Sequence, residues 1–131
     1  MSTAKLAPVF LAMKTGWEKK DWRACADLFH PDGVLHSVML APCVGRESIY
    51  QRIAASEKPN KSVRLHIKRM IENDTTLWVE RLDEIVIDGR STSVPTVGIL
   101  EFEGQRIIRW SEYYDRASLL NALELDIEHH K

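Results

Sequence analysis

Arg81 and Asp83 stand two residues apart in the segment Leu77-Trp78-Val79-Glu80-Arg81-Leu82-Asp83-Glu84-Ile85-Val86-Ile87, which reads as a strand. Alternation puts Leu77, Val79, Arg81, Asp83, Ile85 and Ile87 on one face and Trp78, Glu80, Leu82, Glu84 and Val86 on the other. The first face is mostly aliphatic, so the Arg-Asp pair is expected to project into an apolar interior. Buried charges cost several kcal/mol each unless they pair and find hydrogen bonds, and a salt bridge that only fixes the sheet would meet that need. A second carboxylate, Asp115, closes the run Trp110-Ser111-Glu112-Tyr113-Tyr114-Asp115. Asp115 also suits a helix N-cap. An Arg held between two carboxylates, one ionised and one protonated, is the arrangement that concerted acid and base chemistry requires.

The elements that must position these groups follow from periodicity. Apolar residues at three- and four-residue steps predict a helix from Ala7 to Trp17, and Asp21 opens a second carrying Trp22, Cys25, Leu28 and Phe29. His30-Pro31-Asp32-Gly33 reads as its end, Val34 to Leu40 as a strand, and Glu47 to Glu57 as a third helix. Strands follow at about Val63 to Ile71, Leu77 to Ile87, Thr92 to Phe102 and Arg106 to Tyr114. Their turns at Asn73-Asp74, Asp88-Gly89 and Glu103-Gly104 are too short for crossover helices, so these four form an antiparallel meander. A last helix begins near Arg116 and holds Leu119, Leu120 and Leu123. The order predicts an α+β fold, one curved, mostly antiparallel sheet packed on helices, with a concave face that encloses a pocket.

The 131 residues are enough for one domain, 1–131, with one core. With 18 basic against 19 acidic residues there is no basic footprint of the kind nucleic acid requires. No segment reads as a membrane span or a signal peptide, and Cys25 and Cys43 lack redox or zinc spacing, so a cytoplasmic chain with two buried thiols is expected. His30, His66, His129 and His130 show no ligand spacing, and no metal site is expected. His36 alternates away from Leu35 and Ser37 and reads as structural.

Glu80-Arg81-Leu82-Asp83, then Val97-Gly98-Ile99-Leu100-Glu101-Phe102-Glu103-Gly104, then Trp110-Ser111-Glu112-Tyr113-Tyr114-Asp115 resemble the limonene-1,2-epoxide hydrolase family of the SnoaL-like, NTF2-like superfamily. Gly45-Arg46-Glu47 matches the Gly-Arg-(Asp/Glu) that opens the third helix there. The resemblance implies a cone-like domain and an epoxide (ether-bond) hydrolase that opens a small apolar epoxide to a diol by one-step attack of water. It implies Asp115 as general base, Asp83 as the acid and Arg81 as the bridge, with no covalent intermediate, metal or organic cofactor. Ser37, Leu35, Ile85, Val97 and Ile99 are expected to line the substrate and water site.

One departure bears on mechanism. The family's Tyr-x-Asn pair that holds the attacking water is replaced by Leu35 and Ser37, and Leu35 cannot hydrogen-bond. Two other readings therefore stand beside hydrolysis. One is a SnoaL-like cyclase or isomerase using a single Asp as acid and base; the other is a non-catalytic small-ligand-binding protein. Trp78, Leu82 and Val86 make an apolar stripe on the outward sheet face, which leads to the expectation of a homodimer.

Overall fold

The computed structural model describes residues 5–121. It contains helices α1 (Ala7–Glu18), α2 (Trp22–Ala26) and α3 (Arg46–Ala55), and strands β1 (Phe29–Ser37), β2 (Cys43–Val44), β3 (Lys61–Glu72), β4 (Thr76–Ile87), β5 (Arg90–Glu103) and β6 (Arg106–Tyr114). The strands form one six-stranded sheet in the order β2-β1-β6-β5-β4-β3. The pairs from β3 to β6 are antiparallel, as the short turns require, while β1 lies parallel to β6. The fold is the α+β arrangement that the order of elements predicts.

Pro8 opens α1, where its missing N–H costs nothing, and Phe10, Met13 and Gly16 turn inward at helical spacing. The helix is fastened to β3 at both ends. The Glu72 carboxylate accepts the backbone N–H groups of Lys5, Leu6 and Ala7 at 3.1–3.3 Å, and Glu18 accepts that of Leu65 at 2.8 Å. Asp21 caps α2 by accepting from the Ala24 N–H at 3.1 Å, as expected. The core between helices and sheet is built on Trp110: Phe10 and Trp17 meet it edge-on and Phe29 stacks on it, at centroid distances of 5.9, 6.0 and 6.2 Å. Cys25 is buried in this layer, and desolvation pushes its thiol up to about 12.

Several expectations need correction. Helix α2 ends at Ala26, so Leu28 and Phe29 lie outside it and Phe29 begins β1. His30-Pro31-Asp32-Gly33 is part of β1, whose register against β6 shifts between Phe29 and Val34; the turn-forming residues make a bulge that keeps the chain in the sheet. That strand ends at Ser37, short of Leu40, and the two-residue β2 that pairs with it carries no strand signal in the sequence. In β5 the inward residues are Val94, Thr96, Leu100 and Phe102, so Val97 and Ile99 lie on the outer face. A shift of one residue moves a whole strand's side chains across the sheet, and both faces of β5 carry apolar residues, so composition does not fix the side. Val97 joins Ile71, Trp78 and Tyr113 as exposed apolar residues of the outer face. After β6, residues 116–121 are helical; the expected Leu123 lies outside the described residues. Among the described residues no helix is long and apolar enough to cross a membrane.

Gly33 occupies the β1 bulge at a point where a Cβ would lie 2.9 Å from the Ile107 carbonyl oxygen and 3.0 Å from that of His30. Both neighbours are backbone and cannot move cheaply. Gly33→Ala is therefore expected to lower stability by about 1–3 kcal/mol. Urea unfolding checks this, and an unchanged midpoint would contradict it.

Candidate active site

Strand β4 delivers Arg81 and Asp83 to the concave side of the sheet, as alternation predicts. Arg81 is 3% exposed. Its Nε donates to Asp83 Oδ1 at 2.7 Å and its Nη2 to Oδ2 at 3.0 Å, so the two residues form a fork along one strand. The other side of the guanidinium reaches across β5 to β6. There Nη1 donates to Glu112 Oε2 at 3.0 Å, and Nη2 donates to Glu112 Oε1. Trp110 completes the set, its indole N–H donating to Glu112 Oε2 at 2.8 Å. The guanidinium also lies 5.6 Å from the Phe10 ring centre and 5.7 Å from that of Trp110, close enough for cation–π attraction.

The second carboxylate is thus Glu112 and not Asp115. Residues 110, 112 and 114 share the inner face of β6, whereas Asp115 lies past the strand's end. The Asp115 carboxylate accepts the Ser118 N–H at 3.2 Å and the Ser118 hydroxyl at 2.9 Å, capping the helical residues 116–121. It is exposed, and the Ser118 bonds hold it below the usual carboxylate range. The N-cap alternative describes it correctly. Glu112 was legible in one respect: alternation along β6 places it on the face of the aromatic Trp110.

Two carboxylates face one guanidinium in a site shielded from water, and the electrostatics follow from that. Burial pushes the Glu112 carboxyl above the usual carboxylate range, against the opposing pull of Arg81 and Trp110. Burial also pulls on Arg81, but the charges of Glu112 and Asp83 outweigh it and hold the guanidinium firmly protonated.

These groups form part of the wall of a cavity of about 320 Å³. Trp17, Trp22, Leu35, Val63, Leu65 and Ile85 supply apolar wall, and Ser37, Thr96 and Tyr114 supply hydroxyls. Of the expected lining, Leu35, Ser37 and Ile85 are there; Val97 and Ile99 are not, and Val94 and Thr96 take their places. Ser37 is paired with Glu112 across the parallel β1–β6 ladder, and both line the cavity. His36 lies off the cavity, bonded to the Leu40 carbonyl oxygen and to Arg109. Among the described residues no group of three His, Cys, Asp or Glu side chains could hold a metal ion.

Gly98 is opposite Glu112 on β5, where a Cβ would come within 2.6 Å of Glu112 Oε2 and 2.9 Å of both Arg81 Nη1 and Trp110 Nε1. The absent side chain is the space in which the network forms. Gly98→Ala is expected to break the Trp110–Glu112 hydrogen bond and to cost about 1–3 kcal/mol. Thermal unfolding, with the indole N–H resonance of Trp110 as local probe, checks this; an unshifted resonance and melting point would contradict it.

The family model for the SnoaL-like domain matches residues 10–110. No curated protein matches the chain in sequence. Among solved structures, an LEH-like epoxide hydrolase from M. tuberculosis is similar, with 17% identity, 92% of this chain and 90% of that one covered, and a TM-score of 0.77. A protein of ketosteroid isomerase-like fold from Catenulispora acidiphila is 23% identical over 88% and 92% of the two chains, with a TM-score of 0.79. A candidate SnoaL-like polyketide cyclase from Shewanella denitrificans is 14% identical over 90% and 96%, with a TM-score of 0.78. At these identities the structures show a shared NTF2-like fold, and the family match shows that the chain belongs to the SnoaL-like family.

Proposed function

We propose that the protein is an epoxide hydrolase that uses Asp83, Arg81 and Glu112 to open a small, largely apolar epoxide to a diol. The observation that carries this reading is the buried guanidinium bonded to two carboxylates on the wall of an apolar cavity. Glu112 is the general base. Ser37 lies beside it, and a water molecule between them is held for attack; the raised proton affinity of Glu112 suits it to take the water's proton. The water oxygen bonds to a ring carbon as the carbon–oxygen bond of the epoxide breaks. The carboxyl pair holds one proton against the single charge of Arg81, and in this step that proton leaves through Asp83 to the ring oxygen, which becomes the second hydroxyl. The carboxyl pair thus gains one proton and loses one, and exchange with solvent resets it. Arg81 holds both carboxyls at fixed separation, and the dry wall strengthens every charge in the site. The reaction so drawn consumes only water and epoxide.

A second reading is favoured by Leu35, which puts an aliphatic side chain on the cavity wall close to where water must be held. In that reading Glu112 takes a proton from a carbon acid instead, as in a cyclase or isomerase. An epoxide panel separates the two, since only the first yields a diol.

Glu112→Gln keeps the shape of the side chain but removes the base, and is expected to lower diol formation at least about a hundredfold. Asp115→Asn, outside the cavity, is expected to retain most activity, and the reverse ranking would sink the assignment. Because the base must be ionised, kcat/KM is expected to fall as pH drops through a limb lying above 4.5, the ordinary value for Glu. A pH–rate profile with its acid limb at or below that value would contradict the role of burial.

A further inference from the structure

The cavity wall carries a charge that the acid and base pair does not use. Lys20, Arg52, Lys58 and Lys61 all line it, and away from the Arg81 network Glu57 is the one carboxylate among the lining residues. The chain as a whole carries a net charge of -1, so this concentration of cations is local. Their positions are set by the fold. Lys20 ends the turn between α1 and α2, Arg52 lies in the last turn of α3, and Lys58 and Lys61 flank the link from α3 to β3. Lys20 pairs with Glu57 at 2.5 Å and donates to the Lys58 carbonyl oxygen at 3.2 Å, which ties the two segments into one rim. Arg52 forms no ion pair with the described residues, so Glu57, bound to Lys20, leaves the Arg52 charge unmatched there. Lys20 also adopts φ 60°, a conformation that Gly or Asn would accept with less strain. Two residues on, the Trp22 indole N–H is buried with no hydrogen-bond partner among the described residues, on the wall of the same cavity.

We propose that this cavity selects small molecules that carry an anionic group, such as a carboxylate, on an apolar body. The anion is held at the rim by Arg52, with Lys20 shared between it and Glu57, and the apolar part extends between Trp17, Trp22, Leu35 and Val63 toward Arg81. This deepens the reading of the cavity as the substrate site and names its substrate class: an epoxide bearing an acid at the end remote from the ring. Opposite charges partly screened from water supply selectivity between an acid and its neutral analogue, and they weaken with salt.

The test titrates the tryptophan fluorescence of the intact chain with phenylbutanoate and with its neutral amide. The acid is expected to bind about tenfold tighter at low salt, as a few partly exposed charge pairs together supply. That advantage is expected to shrink in about 1 M sodium chloride, where charges are screened within about 3 Å. Arg52→Gln combined with Lys20→Gln, both on the rim, is expected to remove most of it while binding of the amide stays unchanged. Equal binding of acid and amide, an advantage that survives the double variant, or no saturable binding of either compound would overturn the proposal. The readout is binding and not turnover, so failure of the hydrolase reading leaves this result standing, and the converse also holds.

Discussion

A guanidinium 3% exposed to water must be compensated on all sides, and most of the architecture around Arg81 answers that demand. Asp83 occupies one side of the fork and Glu112 the other, while the rings of Phe10 and Trp110 lie within cation–π distance. Removing one member of such a set leaves an uncompensated buried charge, at a typical cost of about 3–5 kcal/mol. Two carboxylates against one cation also leave an excess negative charge, which burial opposes by raising the proton affinity of Glu112. In the proposed reaction, the stress that the core imposes on its charges is the same property that suits the site to move protons.

The sheet and helices are shaped around that set. Arg81 on β4 can reach Glu112 on β6 only across β5, and β5 carries Gly98 at the crossing, where any side chain would strike all three polar partners. Trp110, the centre of the aromatic core, also donates to Glu112, so packing and polar network share one residue. Glu72 and Glu18 hold α1 across β3, fixing the layer that carries Phe10 and Trp17. The polar wall of the cavity is thus built on the core, and in the proposed reaction its groups are in place before a substrate binds.

Much of this was legible from residue order. The alternation Leu77, Val79, Arg81, Asp83, Ile85, Ile87 gave the correct inner face of β4, because four aliphatic residues outweigh two charged ones. The meander follows from short turns, and Leu35 and Ser37 line the cavity. Glu112 and Asp115, two carboxylates three residues apart, fit the same motif, and only the end of β6 decides which one meets Arg81. Val97 and Ile99 were misplaced because β5 is apolar on both faces, so its register is set by pairing with β4 and β6 and not by its own pattern. Likewise His30-Pro31-Asp32-Gly33 has the composition of a turn, and its retention as a bulge depends on the parallel partner β6. The cations of the cavity rim are spread from Lys20 to Lys61, and no local spacing joins them.

Glu112 is a buried carboxyl held by Arg81 and, in the proposed reaction, the base. Carbon-13 NMR of the Glu112 side-chain carboxyl across a pH series measures this directly, with the exposed Asp115 as internal comparison. A Glu112 midpoint above 4.5 and an Asp115 midpoint below 3.8 are expected, because burial opposes charge at the first and the Ser118 bonds favour it at the second. A Glu112 midpoint at or below the ordinary value would contradict this reading of Glu112.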